Sequence, residues 1–312
     1  MSTGRRETAS VRERPGRRPR RPGPAGDEHK HKARAGAAAL GAGLCAALLA
    51  GCAGDGAAAD SRPPTGAGDS AEAISAAADT LVKAGTSHVH TTMRMASGGT
   101  WLTITGSGGF DYARRQGELR LLLPPDAAGT EEHKPLTELL TPGALYMKDR
   151  GAGVPAGKWV RVDTARLPDG NLVTGGATEP LAAAQLLCGA RDVRLVGKET
   201  LAGTKVSHYR GTADIARAAK VAEPSGQGPL TAASKGFSVT RVPFDAWLDG
   251  QGRLRQLSQT FTFSSGSAGH SAGPDVTVVS TTSFDDFGAA VPVSMPRAAD
   301  IWTGKIVSAQ PG

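Results

Sequence analysis

The sequence has few aromatic residues and no long apolar run in its body. Aromatic residues make up 4% of the 312 positions, whereas glycine and proline occupy 42 and 20 positions. That composition favours a loop-rich β or α+β domain over a helical bundle. A membrane-spanning helix needs about 20 apolar residues in a row, and the body of the chain contains no such run. A polytopic membrane protein is therefore excluded.

Excess charge is missing from most of the chain. The first 51 residues hold 11 Lys and Arg against 4 Asp and Glu, which accounts for the whole formal net charge of +7. The rest of the chain holds 25 residues of each sign. A neutral body without basic patches between aromatic residues offers no electrostatic attraction for nucleic acid. We therefore expect no nucleic-acid partner.

The first 51 residues have the order of an export signal. A polar, basic and proline-rich stretch runs to Arg34, and seventeen uncharged residues follow from Ala35 to Gly51. A basic region, a short weakly apolar segment and a small-residue end are typical of a signal peptide. Two arginine pairs between residues 17 and 21 are each followed by proline rather than by apolar residues. The sequence therefore leaves the choice between Sec and Tat export open.

The signal ends in Leu49-Ala50-Gly51-Cys52, which resembles the lipobox of bacterial lipoproteins. The resemblance implies cleavage before Cys52 and a diacylglyceryl group on its thiol. Two acyl chains anchor a protein stably, since each buried CH₂ contributes about 0.8 kcal/mol. We expect residues 52–69 to be a flexible tether that spans roughly 20 to 25 Å. The protein is then anchored to the outer face of the cell membrane through its amino end.

Cysteine is too scarce for a disulfide framework. The chain has three cysteines, of which Cys45 lies in the leader and Cys52 at the lipid site. Cys188 alone remains, so the fold depends on its core. We expect Cys188 to be a buried, inert thiol on the apolar side of a short helix.

The body after residue 69 begins with a helix and continues with strands. Asp69 is in position to cap the helix, Ile74 and Leu81 lie on one face, and Gly85 follows its end. The period then changes to two in residues 87–95, where Val89, Thr91, Met93 and Met95 alternate with His88, His90, Thr92 and Arg94. Such alternation predicts a half-buried strand.

About ten strands and two more helices follow. The remaining predicted strands are 100–106, 109–115, 118–123, 144–148, 158–163, 192–198, 204–212, 239–248, 253–263 and 275–284. Pro180 opens one helix that Gly189 stops, and Asp214 caps another that ends before Pro224. The predicted fold class is α+β, with one large curved antiparallel sheet and a few helices on its concave face. We expect a single domain at 70–305 and a C-terminal tail at 306–312.

Three ordered stretches resemble the LppX/LprG family of bacterial lipoproteins, whose fold is similar to that of LolA and LolB. They are His208 to Asp214, Val242 to Asp249 with the following Gly252-Arg253 turn, and Phe284 to Gly288 before Val291-Pro292. The single Asn and the 25 Arg against 11 Lys fit a G+C-rich actinobacterium. The resemblance implies a half-barrel sheet around helices that encloses an apolar cavity.

Such a cavity would hold the acyl chains of a lipid or lipoglycan while the protein carries it across the envelope, with an envelope transporter as a partner. Shelter from water is worth about 25 cal/mol per Å² of apolar surface. Leu257, Phe261 and Phe263 share one strand face, as do Val276, Val278 and Phe284. The sequence does not separate cavity wall from ordinary core, so no ligand-binding residues are assigned. The alternative is a sensor or scaffold module that contacts envelope proteins without a ligand.

No motif predicts catalysis or a cofactor. Gly269 to Gly273 matches the G-x-S-x-G pattern of hydrolases, but it lies in a Ser/Gly-rich stretch between strands rather than between a strand and a helix. The adjacent carboxylates Glu131-Glu132 and Asp285-Asp286 are expected to point apart, which excludes an acid and base pair. We predict a non-enzymatic protein without a cofactor.

One pair of histidines has a spacing that is found in metal sites. His88 and His90 lie on one strand face, a spacing that metal ions can use. A third ligand would have to come from elsewhere, and the neighbours Thr92 and Arg94 favour a solvated face. His208 shares a face with Val206, which predicts packing. The sequence therefore assigns no metal site.

Overall fold

The structure is a computed structural model that describes residues 67–97, 100–124, 134–149, 153–173, 175–264 and 275–304. These residues fall within one compact unit, Ala59–Gly312. Several predictions lie outside the described residues: the signal peptide, the lipobox with Cys52, nearly all of the tether, Glu131-Glu132, the Gly269 to Gly273 motif and the C-terminal tail.

Eleven strands of the described residues form one open antiparallel sheet, which confirms the predicted fold class. The strands are β1 Thr86–Ser97, β2 Thr100–Asp111, β3 Gln116–Leu122, β4 Leu136–Thr141, β5 Ala144–Lys148, β6 Trp159–Asp163, β7 Ala190–Leu201, β8 Thr204–Asp214, β9 Arg241–Asp249, β10 Leu254–Ser264 and β11 Asp275–Asp285. Their order is β6-β5-β4-β3-β2-β1-β11-β10-β9-β8-β7. Two meanders thus meet where β1 pairs with β11, which we call the central seam.

Within the described residues, five α-helices pack on the side of the sheet that carries the buried side chains. They are α1 Ala67–Ser75, α2 Ala77–Ala84, α3 Pro180–Leu186, α4 Ile215–Val221 and α5 Pro224–Gly236. The predicted first helix is divided at Ala76 and begins at Ala67, two residues before the predicted cap. The Asp214 cap is confirmed, because its carboxylate accepts a hydrogen bond of 2.9 Å from the Arg217 N–H.

Alternating burial confirms the strand pattern of β1. Ser87, Val89, Thr91 and Met93 are buried, whereas His88, His90 and Arg94 are exposed. The buried side chains of the sheet and the helices form one apolar cluster. Its members include Leu257, Phe261, Val278 and Phe284, so most of the residues considered as cavity wall are core.

The two strands predicted at 100–106 and 109–115 are a single strand, β2. The intervening glycines do not form a turn; they allow close approach of the neighbouring strand. A Cβ atom added to Gly108 would collide with the Glu118 carbonyl oxygen on β3. The chain turns instead after Asp111, whose carboxylate accepts a hydrogen bond of 2.8 Å from the Arg114 N–H.

Strand β4 and helix α5 were not predicted. β4 carries Glu138 on its buried side, which breaks the expected apolar alternation. Helix α5 contains two internal glycines and Pro229, all poor helix formers. The helix is held by packing, since Leu230 and Ala233 are buried and Gly236 lies directly against the Pro168 carbonyl.

Candidate functional site

A groove of about 530 Å³ opens on the helical side of the domain. Its walls come from α2, from α3 and the short 3₁₀ turn Leu187–Gly189, from the end of α4, and from the turn after β2. These elements are far apart in sequence. The sheet brings them together because β2 ends beneath α2: the Tyr112 N–H donates a hydrogen bond of 2.8 Å to the Gly85 carbonyl.

The groove has a mainly apolar lining. Ala78, Leu181 and Ala222 are buried at its floor, where their small or compact side chains leave space. Val82 and Val221 lie on its rim with 42% and 59% of their surface exposed. Both valines face outward because their helices direct Leu81 and Ala218 into the core. Two exposed valines beside an apolar floor make a surface that an apolar ligand can cover.

Charged side chains of both signs surround the opening. Asp79 and Lys83 project from α2, Glu223 follows α4, and Arg115 lies in the turn after β2. Arg115 has a left-handed backbone with φ of 56°, which places the residue at the tight corner before β3. The rim therefore carries two exposed valines and charges of both signs, while the floor is apolar.

Cys188 forms part of the groove wall. The prediction of a buried thiol is wrong, since Cys188 is half-buried. Its Sγ lies 3.7 Å from the Ser75 carbonyl oxygen, to which the thiol donates. Burial, and then the negative charge of Asp79, raise the pKa of this thiol. A raised pKa lowers the thiolate fraction, which agrees with the predicted low reactivity.

A small second cavity of about 20 Å³ adjoins the groove, and Arg115 and Gln185 line both. Glu179 lines the small cavity and stands immediately before α3. Burial raises the pKa of the Glu179 carboxyl to about 7, and the Arg115 charge lowers it in part. The carboxyl is thus held near the point at which it changes charge at neutral pH.

A further buried carboxyl, that of Glu138, lies on strand β4. Both oxygens of Glu138 and both side-chain polar atoms of Asn171 are buried without a hydrogen-bond partner among the described residues. A Cβ atom at Gly175 would lie 2.9 Å from Glu138 Oε1 and 3.0 Å from Asn171 Oδ1, so the two side chains converge there. Burial raises the pKa of Glu138 well above its usual range. Neither sequence spacing nor a motif indicated this pair.

The motif residues that carry the family resemblance have structural contacts. Trp247 stacks on His208 with ring centroids 4.3 Å apart, and the His208 nitrogens lie 2.8 Å from Glu199 Oε1 and 2.6 Å from Asp245 Oδ1. His208 is therefore packed, as predicted. Asp249 accepts hydrogen bonds from the Arg253 backbone N–H and guanidinium at 3.0 and 2.9 Å, which fixes the Gly-Arg turn.

The opposite face of the sheet carries the predicted histidine pair. His88 and His90 are exposed on β1, and Asp285 and Asp286 reach them from the end of β11. The expectation that the two aspartates point apart is wrong. One side-chain ligand atom from each of His88, Asp285 and Asp286 lies within 4.8 Å of the others. The cluster therefore contains only one of the two histidines considered in the sequence, His88, and its other two possible ligands come from the end of β11 and the residue after it.

Two sequence comparisons found nothing: no protein-family model matches the chain, and no curated protein matches it. Within the described residues, no helix has the length and apolar character that crossing a membrane requires.

Several solved structures align with most of this chain. The lipoprotein LppX of Mycobacterium tuberculosis is 13% identical, with a TM-score of 0.40 over 72% of this chain and 99% of LppX. LprF of Mycobacterium bovis is 12% identical, with a TM-score of 0.38 over 74% and 97%. A LolA superfamily protein from Nitrosomonas europaea is 10% identical, with a TM-score of 0.29 over 69% and 95%. These structures bear names that belong to the LppX/LprG-like and LolA-like proteins that the three sequence stretches resemble, and none of them is more than 13% identical to this chain.

Proposed function

We propose that this protein is a lipid-anchored envelope lipoprotein that binds the acyl part of a lipid or lipoglycan and carries it across the envelope. The observation that carries the proposal is the groove between α2, α3 and α4, with an apolar floor, valines on its rim and charges around its mouth. Its volume of about 530 Å³ falls within the range of small-molecule sites.

The chemistry of the groove suits an amphipathic ligand. Each CH₂ group that leaves water for the apolar floor contributes about 0.8 kcal/mol. A polar head group would remain at the mouth, where Lys83 and Arg115 offer positive charge and Asp79 and Glu223 negative charge. The polar rim thus orients the ligand, while the floor supplies the binding free energy.

The amino-terminal segment belongs to the same proposal. Residues 1–51 act as the signal peptide, Cys52 carries the lipid, and the residues between Cys52 and the start of α1 at Ala67 tether the single domain to the outer face of the membrane. Two acyl chains on Cys52 provide stable anchoring. We expect wild-type protein in the membrane fraction and Cys52→Ser protein outside it. A Cys52→Ser variant that stays in the membrane fraction would contradict the anchor.

Ligand binding is tested with the full chain, produced with its leader in an actinobacterial host and extracted in detergent. Co-purifying lipids are measured by mass spectrometry. Val82→Glu should reduce the bound lipid about tenfold or more, because a carboxylate on the groove rim resists desolvation by an acyl chain. Val239→Glu is the matched control, since Val239 is also 42% exposed but lies outside the groove. Equal lipid content in the two variants would contradict the assignment of the groove.

The second candidate function is a sensor or scaffold that binds proteins rather than lipid. Two observations favour it: most residues considered as cavity wall belong to the buried core, and Trp101 and Leu122 are exposed on the same face of the neighbouring strands β2 and β3. Exposed apolar surface of this kind marks protein contacts. Wild-type protein free of lipid, together with an envelope partner whose capture Trp101→Ala abolishes, would support the scaffold over the carrier.

A further inference from the structure

Two histidines and two aspartates meet on the solvent face of the central seam. In the β1–β11 register His88 is opposite Asp285, and His90 is opposite Ser283. Asp286 follows directly after β11 and completes the cluster. The four side chains come from segments nearly two hundred residues apart in the chain, and the sheet register alone brings them together.

The spacing of these side chains suits a shared cation better than direct hydrogen bonds. The His88 Nδ1 to Asp286 Oδ2 distance is 3.8 Å and the His90 Nε2 to Asp285 Oδ2 distance is 3.5 Å. Both exceed the usual hydrogen-bond range of about 2.7 to 3.2 Å. Two ligands at about 2.1 Å from a tetrahedral Zn²⁺ lie roughly 3.4 Å apart. The ligand atoms of His88, Asp285 and Asp286 lie within 4.8 Å of one another, so rotation of these side chains has to shorten each separation by at most about 1.4 Å to reach that geometry.

The backbone fixes the position of the two aspartates. Asp286 has a φ of 44°, a left-handed conformation that aspartate adopts more readily than most residues. The following loop is tied to β1, since the Gly288 N–H donates a 3.0 Å hydrogen bond to the Thr86 carbonyl. The Thr86 hydroxyl in turn donates to the Ala289 carbonyl at 2.6 Å. The aspartates are therefore held beside the histidines by contacts that do not involve their own side chains.

We propose that His88, Asp285 and Asp286 bind a divalent transition-metal ion such as Zn²⁺, and that His90 moves within hydrogen-bond distance of the Asp285 carboxylate and orients it once the ion is bound. Imidazole combined with carboxylate is a donor set that Zn²⁺ uses, whereas Mg²⁺ and Ca²⁺ prefer oxygen ligands alone. The cluster is open to solvent, so an ion has access, and water completes its coordination. A bound ion would link β1 to β11 across the central seam.

The test uses the full-length chain and Zn²⁺ itself. Equilibrium dialysis followed by elemental analysis gives the number of ions per chain for wild type and for the His88→Ala/Asp286→Asn variant. Histidines and cysteines of the leader contribute equally to both proteins, so the difference isolates the cluster. We expect the variant to hold one ion fewer, with at least about a tenfold loss of affinity at this site.

Glu118→Gln is the matched control. Glu118 lies on the same face, in the row that runs from His88 through Gly109 to Glu118, but it is not in the cluster. Removing its charge should leave the ion count unchanged. Loss of the ion in Glu118→Gln as well would show general attraction of cations to an acidic surface and would overturn the proposal.

Thermal unfolding provides a second measurement that does not depend on counting ions. With Zn²⁺ at about 100 times the dissociation constant, the wild-type midpoint should rise by about 5 to 10 °C, because the ion binds the folded state across the central seam. The double variant should show no such rise while keeping the metal-free midpoint of wild type. If wild type and double variant bind equal numbers of ions and respond equally to Zn²⁺, the site does not exist. His90→Ala should bind the ion more weakly than wild type, and unchanged binding would remove the role given to His90.

Discussion

Replacing Glu179 with glutamine should make the stability of this protein less dependent on pH. Glu179 lies partly buried beside the small cavity, where burial raises the pKa of its carboxyl from 4.5 to about 7. Between these two values the folded state keeps a proton that the unfolded state has released. The free energy of unfolding therefore falls as the pH rises through this range, because ionised Glu179 is disfavoured only in the folded protein.

The size of the effect follows from the pKa shift. One pKa unit corresponds to about 1.4 kcal/mol, so the shift from 4.5 to about 7 amounts to about 3 kcal/mol between pH 4 and pH 8. Solvent around the partly exposed side chain reduces this figure. Glutamine has nearly the same shape and no proton to lose. Among the described contacts, the Glu179 side chain makes no capping bond to α3 that the substitution would break.

The assay is urea denaturation of the wild type and of Glu179→Gln at pH 4 and pH 8, followed by circular dichroism. Other groups with raised pKa values, such as Glu138, contribute equally to both proteins and cancel in the difference. Between pH 4 and pH 8, the free energy of unfolding of the variant should rise by about 1 to 3 kcal/mol relative to that of wild type. This is the value derived from the pKa shift after allowance for solvent around the side chain. A stability difference that is the same at both pH values would refute the reasoning.

Two further substitutions test the fold. Gly108→Ala should destabilise the protein by about 1 to 3 kcal/mol, because the added Cβ would collide with the Glu118 carbonyl. Gly197→Ala in β7 is its control, since a Cβ there meets nothing within 4 Å; equal urea midpoints for the two variants would contradict the close packing of β2 and β3. Asp214→Ala should lower the free energy of unfolding by about 1 kcal/mol through loss of the α4 cap. Asp214→Asn should retain most of the stabilisation that the cap provides, because its amide oxygen can accept the same hydrogen bond. The thermal midpoints of these two variants check this prediction, and identical values would contradict the cap.

Local patterns predicted much of the fold. Alternation in β1 and the cap at Asp214 follow from contacts within a few residues, and both are confirmed. Prediction failed where distant packing decides the conformation. Gly108 resembles a turn residue in the sequence, yet it permits contact with β3. Helix α5 has poor intrinsic propensity and forms because Leu230 and Ala233 are buried against the rest of the domain.

The sequence predicted less of the candidate sites than of the fold. The groove combines segments around residues 80, 113, 185 and 222, and none of these segments carries a motif that indicates a binding site. Its lining residues have no common spacing, because three helices and a turn supply them. The histidine pair at 88 and 90 was visible, as was the aspartate pair at 285 and 286. Their meeting depends on the register of β1 against β11, which no local pattern specifies.

Because the first and last strands are neighbours at the middle of the sheet, neither half of the protein is a complete sheet. A growing polypeptide that has reached residue 264 contains β1 to β10 but still has unpaired edges at β1 and β10. Such edges can pair with other chains and cause aggregation. Strand β11 closes both edges at once when Asp275–Asp285 is added. A product truncated before that strand would therefore expose two unpaired strand edges, at β1 and at β10, instead of one continuous sheet.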